Sequence, residues 1–275
     1  MSIRREPLED TWHDVILKSM RGQNLQASTL AHMSNLSEDN IHTLLQGHYE
    51  EKTLRALAPA LGLHSEKLLH LARVPFQLPV EDIPNNFQIL TTFYHDMKVH
   101  SYLLWSERNH HALLFDTGGS LSSLLEELQE KQLKLKAIFL THAHHDHVTK
   151  LRELQQQTGL PAWIDQAEII QGAHALPLDF LYHLDECISI RAFSTPGHSP
   201  GGRTYFLDGL SRPIAIVGDA LFARSIGGIP AEAYRSGLQI ISQRILTLPL
   251  TTILAPGHGP ITTVEAEREA NPFFS

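Results

Sequence analysis

Apolar positions along this chain change rhythm once, near Pro75. Across residues 11–73 they recur in short blocks at helical spacing, with no convincing strand. Leu25 to Ala31 reads as one short helix and Ser37 as the N-cap of the next. Asn35 sits in the turn between them, where a left-handed backbone is tolerated. Leu30, Leu36, Ile41 and Leu44 then face one another, and Gly47 ends the second helix. Helices over 54–61 and 66–71 complete a bundle of about five. Pro75, Pro79 and Pro84 oppose helix, so residues 76–86 read as an extended linker.

From Phe87 the apolar residues gather into short runs bounded by turn residues, the pattern of buried strands. Strands are expected at 87–94, 99–105, 112–115, 135–140, 162–165, 188–193, 204–207, 214–217 and 252–255. Helices are expected at 121–132, 148–157 and 231–247. Strands with helices interleaved suggest two sheets packed between helix layers. The expected organisation is an all-α bundle over 1–75, the linker, and an α/β (α+β) domain over 87–275.

Composition narrows the classes. Hydrophobic residues at 42%, charged residues at 19% and a net charge of −8 describe a soluble globular protein. The negative balance weighs against a nucleic-acid or anionic-membrane partner. Cys187 is the single cysteine, so no internal disulfide forms; it reads as a small buried hydrophobe before a strand. The segment Met1 to Asp10 lacks an apolar leader core, and no run approaches the ~20 apolar residues of a membrane span. A cytoplasmic location is expected.

The chemistry concentrates at strand ends. Thr141-His142-Ala143-His144-His145-Asp146-His147 follows an apolar run and packs H-x-H-x-D-H into six positions. Imidazoles and a carboxylate at this spacing suit zinc, iron and related divalent ions. Three later strands end in ligand-type residues beside glycine: Thr195-Pro196-Gly197-His198, Val217-Gly218-Asp219 and Ala255-Pro256-Gly257-His258. Glycine lets the backbone turn tightly and approach a metal. Asp116, before Thr117-Gly118, is a candidate acceptor for a ligating imidazole N–H or a turn-stabilising residue. Thr141 has the same two readings, as a supporting hydroxyl or a strand residue. Tyr182, Tyr205, Phe222 and Tyr234 line a pocket or fill the core.

On these motifs, residues 87–275 resemble the metallo-β-lactamase superfamily, and within it the glyoxalase II-like hydrolases. The resemblance implies an αββα sandwich with two metal ions at one edge, zinc first, iron or manganese as alternatives. It implies His142, His144 and His198 as ligands of one ion, Asp146, His147 and His258 of the other, and Asp219 bridging them; His145 fills a variable slot. Asp146 and Asp219 then also belong to the catalytic machinery. The implied reaction is attack of a metal-bridged hydroxide on a thioester or other acyl substrate. The chain ends soon after His258, which resembles the short members of that group and leaves glutathione recognition open. The segment 221–228 resembles their loop after the bridging aspartate, where Arg224 would meet a substrate carboxylate or else pair at the surface.

Two alternatives stand beside the hydrolase. One is an iron-dependent persulfide dioxygenase on the same fold; the other is a metabolite sensor using the N-terminal helices. A β-lactamase is disfavoured by the missing leader and by Asp219, and a nuclease by the net charge. Ala31, Asn35, Ser37, Ile41 and Gly47 resemble the helix-turn-helix domain of Cro/cI-type repressors. Residues 1–75 nevertheless hold eight Lys/Arg against nine Asp/Glu, and the would-be reading helix opens with Glu38-Asp39. The cations that neutralise phosphates are missing, so docking or homodimerisation through this bundle is expected rather than DNA binding.

Overall fold

The computed structural model describes residues 7–77 and 82–275. Residues 1–6 and linker residues 78–81 lie outside the described residues. Five helices come first: α1 (Trp12–Gly22), α2 (Ala27–Ser34), α3 (Glu38–Leu45), α4 (Glu51–Ala60) and α5 (Ser65–Arg73). Thr11 caps α1 in a reciprocal box with Asp14. Ser37 caps α3 by accepting from Asn40 N at 3.2 Å, and Asn35 ends α2 with φ 55°.

The next elements are β1 (Phe87–Tyr94), β2 (Met97–Trp105), β3 (His111–Phe115), α6 (Ser122–Glu130), β4 (Lys134–Phe139), α7 (His145–Val148) and α8 (Leu151–Thr158). Then come β5 (Ala162–Ile164), β6 (Ala173–Ala175), β7 (Leu181–His183), β8 (Ser189–Ser194), β9 (Arg203–Asp208) and β10 (Ile214–Gly218). A small hairpin, β11 (Leu221–Phe222) and β12 (Ser225–Ile226), precedes α9 (Tyr234–Ile240). β13 (Ile253–Pro256), β14 (Thr262–Thr263) and α10 (Val264–Ala270) close the chain.

One sheet runs β1-β2-β3-β4-β5-β6 and the other β14-β13-β10-β9-β8-β7. Phe115, Phe139, Ile190, Tyr205, Ile216 and Ala255 fill the space between them. Leu124 of α6 and Leu151 and Leu154 of α8 cover the outer face of the first sheet with Leu114 and Ile138. The outer face of the second sheet buries Phe206, Ala215 and Leu254 against α9, α10 and all five N-terminal helices in one continuous core. The architecture is therefore the expected αββα sandwich, with the bundle packed onto one of its helical layers. No helix among the described residues is long and apolar enough to cross a membrane.

Some expectations need correction. The helix expected over 231–247 begins at Tyr234 and passes into a π-helical turn over Ile241–Ile245, closed by Leu246 N to Ile241 O at 3.0 Å. The helix expected at 148–157 is two pieces, α7 and α8, separated at Thr149 and Lys150. β6, β7, β11, β12 and β14 have two or three residues each, too few to show a period. Cys187 is exposed, in the β7–β8 turn, where its N–H donates to Asp185 at 2.7 Å.

Candidate metal centre

β3 runs parallel to β4, and β10 parallel to β13, so their carboxyl ends deliver Asp116, Thr141–His142, Asp219 and Gly257–His258 to one edge. The β8–β9 connection brings His198 there, and the single turn α7 brings Asp146 and His147. All seven expected ligands converge in two groups. His142, His144, His198 and Asp219 form one, and Asp146, His147 and His258 the other, with the candidate ligand atoms of each group within 4.8 Å of one another. His145 is exposed and belongs to neither.

Asp219 stands between the groups. Its Oδ1 lies 3.3 Å from His147 Nε2, and its Oδ2 3.4 Å from His198 Nε2, 3.5 Å from His258 Nε2 and 4.0 Å from His142 Nε2. Asp146 Oδ2 reaches His258 Nε2 at 3.0 Å.

The other ring nitrogens are already committed. His147 Nδ1 donates to Asp116 Oδ2 at 2.9 Å. Thr141 Oγ1 donates to the same oxygen at 2.8 Å, which leaves its lone pairs to accept His142 Nδ1–H at 3.0 Å. His198 Nδ1 donates to Gly228 O at 2.8 Å, and His258 Nδ1 to Lys98 O at 2.6 Å. In all four rings Nδ1 is thereby committed outward and Nε2 faces inward, the nitrogen left for a metal once any proton on it is displaced. His144 presents Nδ1 instead, 2.9 Å from His198 Nε2.

Asp116 thus supports the site rather than merely its own turn. Its φ of 58° is unusual outside glycine, yet it lets the carboxylate accept from Thr141 N at 2.8 Å as well as from the two side chains. Thr141 relays that support to His142. Two glycines are required by crowding. A Cβ on Gly257 would overlap Asp219 Oδ1 and lie 2.5 Å from His147 Cε1; one on Gly227 would lie 3.0 Å from His198 Nδ1.

His142 Nε2, His147 Nε2 and Asp219 Oδ1 are buried without a hydrogen-bond partner. Orphaned polar atoms are costly, and three gathered at one edge fit a site built to bind a cation. In the metal-free site the neighbouring charges set the protonation states. Burial works against the Asp219 charge, but His147 holds its carboxyl well below the usual range. Burial likewise opposes protonation of His147, but Asp219 and Asp116 raise it well above its ordinary value. Burial and the neighbouring His147 push His142 well down.

Other candidates fall elsewhere. Arg224 does not join the cluster: its Nη1 donates to Ala266 O at 2.7 Å and its guanidinium lies 5.8 Å from the Phe76 ring centre. Half-buried Arg224 is held instead by a backbone carbonyl of α10. Phe222 stands edge-on to His258, whereas Tyr205 is core and Tyr234 packs on Gly22. Tyr182 packs edge-on to Phe139 in the inter-sheet core. A cavity of about 640 Å³ near β7, β8 and the end of α9 contains none of the seven residues, so volume does not mark the chemistry here. The pattern left His100 unnoticed; its Nε2 donates to Gly259 O at 2.8 Å beside His258. Burial lowers it to about 4, so it is the neutral imidazole that braces the loop.

A sandwich of two sheets carrying a histidine–aspartate cluster at one edge defines a class of metal-dependent enzymes. The chain belongs to the Metallo-beta-lactamase superfamily, whose family model matches residues 96–259. It is 32% identical over 201 residues to "Probable metallo-hydrolase YqgX" of Bacillus subtilis, covering 65% of this chain and 93% of that one. It is 29% identical over 196 residues to "Hydroxyacylglutathione hydrolase GloC" of Haemophilus influenzae, covering 63% and 91%. Among solved structures it is similar to BLEG-1 B3 metallo-beta-lactamase, with TM-score 0.59, 29% identity, and coverage of 69% of this chain and 99% of that one.

Proposed function

We propose that this protein is a two-metal hydrolase of thioesters or other acyl compounds, of the hydroxyacylglutathione type. The carrying observation is Asp219, whose two carboxylate oxygens face both histidine groups at once. His142, His144, His198 and Asp219 would hold one ion, and Asp146, His147, His258 and Asp219 the other. Bound divalent ions would supply a water ionised near neutral pH and a Lewis acid for the substrate carbonyl. The donor set suits zinc first and admits iron or manganese.

The chain's own part is to prepare that site. Asp116 fixes His147 directly and His142 through Thr141, so neither ring must reorient when an ion arrives. Asp146 and Asp219 offset the positive charge that would otherwise keep two cations apart. The similarity to GloC supports a thioester, and the similarity to BLEG-1 makes a β-lactam the control substrate. The test is turnover of S-lactoylglutathione, a neutral acyl thioester and a β-lactam by metal-loaded protein. Thioester cleavage is expected. Cleavage of the β-lactam alone, or oxygen uptake on a persulfide without hydrolysis, would overturn the reading.

A further inference from the structure

The N-terminal helices precede the stretch that the family model matches, yet they reach the metal centre. Lys18 of α1 pairs with Asp10, donates to Ile226 O at 2.8 Å and lies 4.7 Å over the Phe222 ring. Phe222 in turn meets the His258 ring edge-on at 5.7 Å. Immediately before α1, Glu9 packs its backbone on Gly259, the neighbour of His258: a Cβ on Gly259 would lie 3.0 Å from Glu9 N and Cβ. The attachment is firm. Tyr234 OH donates to Ser19 Oγ at 3.2 Å, His64 N to Pro272 O at 2.8 Å, and Lys67 Nζ to Arg268 O at 2.8 Å.

Charge then decides what this wall does. Lys18 and Asp10 neutralise each other. Glu9 is exposed to solvent on one side and has no hydrogen-bond or ion-pair partner among the described residues; burial of its other side raises its carboxyl above the usual range, with His258 opposing the rise and Asp219 adding to it. Glu9, Asp10 and Lys18 together therefore carry a net negative charge on the His258 side of the site. Lys98, on the β1–β2 hairpin, flanks the same histidine through its carbonyl, with its own side chain exposed.

We propose that Glu9 is a specificity-determining residue of the metal site, a carboxylate whose backbone is held against Gly259 ahead of the helical bundle and which penalises ligands carrying extra negative charge relative to neutral ones. Discrimination by a repulsive element needs no contact with the preferred ligand. The proposal rests on the metal-site reading above and deepens it toward the acyl carrier, which should be neutral or cationic where Glu9 faces it.

The test uses binding rather than turnover. Full-length protein loaded with Co²⁺ is titrated with 2-mercaptoethanol and with mercaptosuccinate, and thiolate binding is followed by its sulfur-to-cobalt absorption. Relative to wild type, Glu9→Gln should improve mercaptosuccinate over 2-mercaptoethanol by about three- to tenfold, and Glu9→Lys by more, with the difference shrinking as salt rises. Lys98 is untouched in both variants, so the change reports Glu9 alone. An unchanged preference in both variants overturns the proposal while leaving the metal site standing. Absence of any thiol band in Co²⁺-treated wild type removes the metal-site reading and the proposal with it.

Discussion

Asp116 shows how one residue sets the state of several. Its carboxylate accepts three hydrogen bonds, two of which determine which nitrogen of His147 and His142 carries the proton. Asp116→Asn keeps the shape but cannot accept at both positions, so metal affinity should fall about 10- to 100-fold with the fold retained. Equilibrium dialysis with a circular-dichroism control checks this; unchanged affinity counts against the role. His258 gives a pH prediction. Burial pulls it down, but hydrogen bonds to Asp146 and Asp219 prevail and lift it from 6.5 to about 10 in the metal-free protein. That pairing stabilises the metal-free fold fully below pH 6.5 and is lost as pH rises through about 10. A metal must displace the proton, so uptake should release protons and weaken as pH falls. Calorimetry in two buffers of different ionisation enthalpy reads the release, and uptake with none contradicts the assignment.

At the scale of elements, what the sequence makes legible depends on length and on locality. β1 and β2 announced themselves through long apolar patterning, and α3 through Ser37 and Asn35, whose capping roles are local chemistry. The ligand set was legible for the same reason: four of its members lie between His142 and His147, and each other one follows a strand beside glycine. The role of Asp116 could only be posed, because its partners are 25 and 31 residues away. The contact Arg224 makes was not legible, because the carbonyl it meets belongs to a helix 42 residues on. Glu9 carried no signal, since nothing local links it to Gly259. The bundle core makes its own prediction. Leu57 is fully buried in the cluster shared with the second sheet, so Leu57→Ala should cost about 2–5 kcal/mol. Because that core is continuous, the loss should appear as one earlier unfolding transition for helices and sandwich together, by scanning calorimetry. A separate early transition would show the bundle to be independent. Helix α3 opens on exposed Glu38 and Asp39, so a mobility-shift assay at low salt should find no tight duplex binding.

For the whole molecule, the sandwich brings side chains from 142 to 258 to one edge, and the helical bundle closes that edge on the His258 side. Everything functional follows from whether this edge holds cations. Metal content of protein purified without added metal, measured by plasma mass spectrometry on wild type and Asp219→Ala, tests that most directly. Two divalent ions per chain in wild type and loss of most of both in Asp219→Ala is the expected result, because that carboxylate serves both groups. Metal-free wild type that takes up no divalent ion on addition, or a variant that retains both ions, would contradict it.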